Sequence, residues 1–250
     1  MRPSPLVAAL LLSAAALAPA QAFDITQMSD AERAQFRAEI RAYLLDNPEI
    51  LIEVSQALEA RQQAQQADAD AGLIAANRDA LFRDDHSFVG GNPEGSLTLV
   101  EFIDYRCGYC RKAHDEVAEL VRSDGDIRYV VKEFPILGDE SVLASQFAIA
   151  TLRIAGPEAY AKVNRAFYET FRGAVTRDTL TAFADGLGLD GAAIVAGMDA
   201  PEVTRVIEEN HALAQKLQIS GTPTFVLGDT MLRGYLPLDT MREIVAEVRG

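Results

Sequence analysis

Cysteine is nearly missing from this chain of 250 residues: Cys107 and Cys110 are the two it has. One pair in a chain this size excludes a scaffold built on disulfides. Histidine is as scarce, with His86, His114 and His211. Only His114 lies near the cysteines, so the four ligands of a structural zinc site have no matching spacing. Basic residues are outnumbered, 23 Lys and Arg against 37 Asp and Glu, for a net charge of −14. Such a chain repels nucleic acid and anionic membranes, and no basic cluster offsets the repulsion. Past the N-terminus, no apolar run is long enough to span a bilayer.

What is present begins with a leader. Arg2, the apolar runs 6–12 and 14–18, and the small-x-small site Ala20-Gln21-Ala22 read as a secretory signal peptide over 1–22. The mature chain is then expected to begin at Phe23 and to reside in the periplasm, where disulfides form and persist. An apolar fraction of 49% is ample for a conventional core.

Residues 23–58 predict a small helical module. Ser29 and Glu32 form a capping box, and Phe36, Ile40, Tyr43 and Leu44 recur at helical spacing. Asn47-Pro48 interrupts, and Leu51, Val54 and Leu58 make a second stripe. Two short apolar stripes have nothing of their own to pack against. The module is therefore expected to form a homo-oligomer, a dimer or trimer; the alternative is that these helices fold back on their own globular domain. Residues 59–84, rich in Ala and Gln, read as a helical or flexible linker. The globular domain is expected over 85–250.

That domain reads as α/β. The run LTLVEFI over 97–103 has the content of a buried strand, and 127–134 reads as a second. A helix follows the cysteines over 108–121. Residues 141–218 form a helical block broken at Gly156-Pro157, with Thr176 or Asp178 as a later cap and Pro201 opening a further helix. The stretch 186–197 reads as loose and Gly-rich. A hairpin over 224–235 and a helix over 238–248 complete the chain.

Cys-x-x-Cys serves structural staples, metal sites and redox centres alike. Here the pair lies where a strand ends and a helix begins, the usual place for a site in an open α/β sheet. Amide donors at the helix start favour a thiolate at Cys107, while Cys110, one turn further in, is more sheltered. An exposed, easily ionised sulfur with a sheltered partner suits attack on a disulfide and resolution of the mixed disulfide. Two alternatives stand beside this. One is a non-enzymatic periplasmic chaperone with the pair as a staple; the other is a copper-handling module with the pair as ligands. His114 reads as a solvated helix residue.

The block FIDYRCGYC over 102–110, with SGTPTF over 220–225, resembles the DsbA-like branch of the thioredoxin superfamily. With the helical N-terminal extension it is similar to the ScsC-like proteins of that branch. The resemblance implies a thioredoxin-like fold with an inserted helical subdomain, and a protein disulfide oxidoreductase or isomerase. Cys107 matches the nucleophile, Cys110 the resolving cysteine and Pro223 the cis-proline beside them, with the Thr222 backbone offered to an extended substrate chain. Glu101 and Lys132 match a charged pair beneath the site, the carboxylate relaying protons from Cys110. Asp104, Tyr105 and Arg106 would rim the site, and Pro135, Ile136 and Leu137 would add an apolar face. The implied partners are unfolded or misoxidised exported proteins and a redox partner that resets the cysteines. No metal, cofactor, nucleic acid or membrane is implied. Gly108-Tyr109 departs from the Pro-His of strongly oxidising members, so a less oxidising centre is expected.

Overall fold

The structure is a computed structural model describing residues 25–250. The expected signal peptide over 1–22 lies outside the described residues. The chain divides into two compact units after Glu59.

In the first unit, α1 (Asp30–Asp46) opens on the expected capping box. The Ser29 hydroxyl accepts from the Glu32 N–H at 3.3 Å, and the Glu32 carboxylate accepts from the Ser29 N–H at 2.8 Å. Asn47 ends the helix by donating its N–H and its side-chain amide to the Tyr43 carbonyl, at 2.9 and 2.8 Å. The next helix, α2 (Glu49–Ala76), starts directly after Pro48. α1 buries no residue, and Phe36, Ile40, Tyr43, Leu51, Val54 and Leu58 are exposed.

The second unit takes in the C-terminal part of α2 and then α3 (Arg78–Phe82). Ile74 and Leu81 are buried against Val100, Phe102, Leu217 and Val226. Asp70 accepts both arms of Arg233, at 2.5 and 2.8 Å. The segment read as a linker is thus helical, and residues 70–82 belong to the globular core. The sparse apolar residues there are the ones that pack.

A five-stranded sheet follows in the order β1-β3-β2-β4-β5. Its strands are β1 (Phe88–Gly91), β2 (Leu97–Ile103), β3 (Ile127–Glu133), β4 (Thr224–Leu227) and β5 (Thr230–Arg233). β2 and β3 run parallel, joined by α4 (Gly108–Asp124); the other pairs are antiparallel. β2 is buried along nearly its whole length, as an apolar run covered on both faces requires. β1 was not foreseen: four residues with two glycines give no period-2 signal.

Between β3 and β4 stand α5 (Asp139–Glu169), α6 (Arg177–Gly186), α7 (Gly191–Gly197) and α8 (Pro201–Lys216). Gly156, at φ 84°, breaks α5 where Pro157 begins its second half. Thr176 caps α6 as expected, and Pro201 opens α8. α7 occupies part of the stretch read as loose, because Asp190 caps it and Ile194 anchors it in the core. α9 (Leu238–Arg249) closes the chain against α4.

Candidate active site

β2 ends at Ile103, and Asp104-Tyr105-Arg106 turn the chain into α4. Asp104 fixes that turn from inside. Fully buried, its carboxylate accepts from the N–H groups of Arg106, Ile136 and Leu137, at 2.7, 2.8 and 3.0 Å, and from the Ser141 hydroxyl at 2.8 Å. Tyr105 is buried too, and its hydroxyl donates to Glu133 at 2.8 Å. Of the three residues expected to rim the site, only Arg106 does so, paired with Glu140 at 3.0 Å. Pro135 is likewise buried, while Leu137 is 52% exposed.

Cys107 is the N-cap of α4, with both thiols free. It is 7% exposed, more sheltered than the exposed sulfur expected there; Cys110 is 1% exposed. Gly108 and Tyr109 stand out in solvent between them. The Cys107 thiol faces the Thr222 carbonyl at 3.2 Å, and the Thr222–Pro223 bond is cis. A hydrogen bond from the Cys110 thiol is the main cause that brings Cys107 down to about 5. The Thr222 side chain and the N–H groups of Cys110 and Tyr109 add to it, against the opposing pull of burial. Cys110 moves the other way, pushed far up by burial, by its bond to Cys107 and by the charge of Glu101.

Glu101 is 3% exposed, and burial pushes its carboxyl up to about 7 despite a hydrogen bond from the Tyr129 hydroxyl. Lys132 does not join it. In the β2–β3 register Phe102, not Glu101, lies opposite Lys132. Side chains alternate along a strand, so Glu101 and Lys132 leave the sheet on opposite faces. Lys132 is instead bonded to Asp84 and to the Ala80 carbonyl, the latter at 2.7 Å. The expected charged pair beneath the cysteines is therefore replaced by two separate arrangements, Glu101 with Tyr129 and Lys132 with Asp84.

Sequence reading missed Tyr129 and Glu133. Their signal was parity: in register with β2, Tyr129, Val131 and Glu133 fall on the Glu101 face. Glu133 accepts from the hydroxyls of Tyr105, Tyr160 and Ser145, at 2.8, 2.6 and 2.7 Å, and burial raises it to about 7. His114 is not a freely solvated residue. It packs on the Tyr168 ring at 4.9 Å, and burial lowers its pKa. With Asp115 and Glu169 it brings three ligand atoms within 4.8 Å of one another. Asp115 and Glu169 favour a positive charge on the same imidazole, and the smaller effects of Arg165 and Arg111 oppose it.

The chemistry available to this arrangement is nucleophilic: a sulfur at a helix start whose ionisation is favoured, a second sulfur beneath it whose ionisation is opposed, and a buried carboxyl raised to about 7. Three relatives can be set beside it. A thioredoxin-like oxidoreductase from Silicibacter pomeroyi DSS-3 is 40% identical, with a TM-score of 0.64, over 69% of this chain and 98% of that one. The thiol-disulfide exchange protein alpha-DsbA2 from Wolbachia pipientis is 25% identical, with a TM-score of 0.68, over 74% of this chain and 98% of that one. A curated Na(+)/H(+) antiporter NhaA from Herminiimonas arsenicoxydans is 32% identical over 64% of this chain, which spans 25% of the antiporter's length. No helix among the described residues is long and apolar enough to cross a membrane. The model of the ScsC N-terminal domain, described as a copper resistance protein domain, matches residues 32–65. Because the thioredoxin family model matches residues 83–247, more than half of the chain, the protein belongs to the thioredoxin family, in its DsbA-like, ScsC-like branch.

Proposed function

We propose that the protein is a thiol–disulfide oxidoreductase or isomerase acting on disulfides of extracytoplasmic proteins through Cys107-Gly108-Tyr109-Cys110. One observation carries the reading: two sulfurs one helical turn apart, the outer lowered to about 5 and the inner driven up. The Cys107 thiolate attacks a substrate disulfide, forming a mixed disulfide and releasing one substrate thiolate. The Cys110 thiol loses its proton, attacks the Cys107 sulfur and releases the second substrate thiolate. The substrate is reduced and the enzyme pair oxidised; the reverse sequence oxidises a substrate dithiol. Glu101 takes the Cys110 proton. The Thr222 backbone receives the substrate chain beside Pro223. Lys132 has no part in this scheme, since it lies on the far face of the sheet.

The names of the two oxidoreductase relatives support the reaction class. The leader over 1–22 supports export to the periplasm. Residues 23–58 act as the oligomerisation module, and the unit from Ala60 onward, whose helical stretch 70–82 packs into its core, acts as the catalytic domain. Clients are unfolded or misoxidised exported proteins, and a separate redox protein resets the pair. Two assays test the reading, recovery of active ribonuclease from the scrambled form and from the reduced form. The Cys107→Ser variant is expected to fail in both. Activity of that variant in either assay removes Cys107 as the nucleophile.

A further inference from the structure

Glu101 has one side-chain partner among the described residues, the Tyr129 hydroxyl. A carboxyl that accepts a proton from Cys110 at each turnover must also return it to solvent, and Glu101 itself is buried. Tyr129 is only partly buried, and its ring forms part of the wall of a cavity of about 440 Å³ between α4, β1 and α5. That volume is ample for water, and His114, Asn92 and Asn164 line it with hydrogen-bonding groups. Nothing in the reaction scheme so far uses this cavity.

We propose that Tyr129 is the positioning residue through which the Glu101 carboxyl exchanges protons with solvent in this cavity, completing a path Cys110–Glu101–Tyr129–water. The inference rests on the thiol–disulfide reading above. Its proton balance is closed. As Cys110 attacks the mixed disulfide, its S–H proton passes to Glu101. Once the carboxyl is protonated, the Tyr129 hydroxyl rotates to point its O–H at water. The carboxyl then donates to the Tyr129 oxygen while the Tyr129 O–H proton leaves to water, and the new O–H is already bonded to the ionised carboxylate. The other groups acting on this path are Cys107, Tyr105 and Tyr168 electrostatically, and His114, Arg122 and Arg165 on the cavity wall.

The test separates the two chemical steps. Reduced protein is mixed with dithiobis(nitrobenzoate), and release of nitrothiobenzoate is followed by stopped flow across pH. The first equivalent reports attack by Cys107, the second reports resolution by Cys110. In Tyr129→Phe the second phase is expected to slow about 100-fold, the low end of what a positioned proton-transfer group contributes, with the first phase little changed. Its pH inflection is expected to move up, because the lost hydroxyl stabilised the ionised carboxylate. Adding Tyr129→Phe to Glu101→Gln should slow the second phase no further, since the hydroxyl acts through that carboxyl. An unchanged second phase in Tyr129→Phe overturns the assignment, as does further slowing of the Glu101→Gln protein. Absence of the first phase in the wild-type protein would instead sink the thiol–disulfide reading itself.

Discussion

At the scale of single residues, the chemistry depends on a difference between two cysteines that share one helix start. Cys107 receives hydrogen bonds on its sulfur, and Cys110 gives one away while losing water. The first effect stabilises an anion and the second destabilises one. Alkylation of the reduced protein by iodoacetamide, read at Cys107 by mass spectrometry, is therefore expected to rise with an inflection near the value of about 5 and to be level by neutral pH. An inflection at the ordinary thiol range would remove the proposed nucleophile. The cysteines, Pro223 and the strand-to-helix junction were readable because type and order along the chain specify them. The partners beneath them were not. Glu101 and Lys132 were matched by distance along the sequence, and that measure ignores which side of a pleated strand a residue takes. Asp104 hid for a related reason: a carboxylate that ties a loop from within looks, in sequence, like one that faces water.

Elements were legible where their boundaries carry a chemical signal. Leu97–Ile103 is bounded as its apolar run is, Thr176 caps α6 and Pro201 opens α8. Where the signal is tertiary, reading along the chain fails. β1 is defined by pairing with β3, and α7 by what Ile194 packs against. The helices over 70–82 are the most consequential case, since composition alone marks them as linker. Leu81 is fully buried there, among Val100, Phe102 and Val226. Its truncation leaves a cavity that the surrounding sheet is too rigid to close. Leu81→Ala is expected to destabilise the protein by about 3 kcal/mol in guanidinium denaturation, within the usual range for a core leucine. A loss of a few tenths would return this segment to the status of a tether.

Two properties belong to the molecule as a whole. The first is assembly. Phe36, Ile40, Tyr43, Leu51, Val54 and Leu58 are exposed, and the ScsC N-terminal family model spans 32–65. Light scattering is expected to give the chain from Phe23 onward a mass that is a multiple of the monomer, and a variant beginning at Ala60 the mass of one. Equal monomer masses for both would exclude the oligomerisation module. The second is the dependence of stability on pH, to which Glu133 contributes from the place where sheet, site loop and inserted helices meet. Tyr105 donates to its carboxylate from the loop, Ser145 and Tyr160 from α5, and the Asn210 amide of α8 donates to its carbonyl at 3.0 Å. Folding raises this carboxyl from 4.5 to about 7. Between those values the folded state holds a proton that the unfolded chain has released, so stability falls as pH rises through the window. Glutamine keeps the shape and cannot ionise. Relative to wild type, Glu133→Gln should therefore fare better at pH about 8 than at pH about 5, by on the order of 3 kcal/mol at most, at about 1.4 kcal/mol per pH unit. Glu101, also raised to about 7, titrates in the same window but is present in both proteins and cancels in the comparison, and use of the oxidised proteins removes the cysteine thiols. A gap between wild type and variant that is the same at both pH values would mean that Glu133 is ionised throughout and that its three hydroxyl donors outweigh its burial.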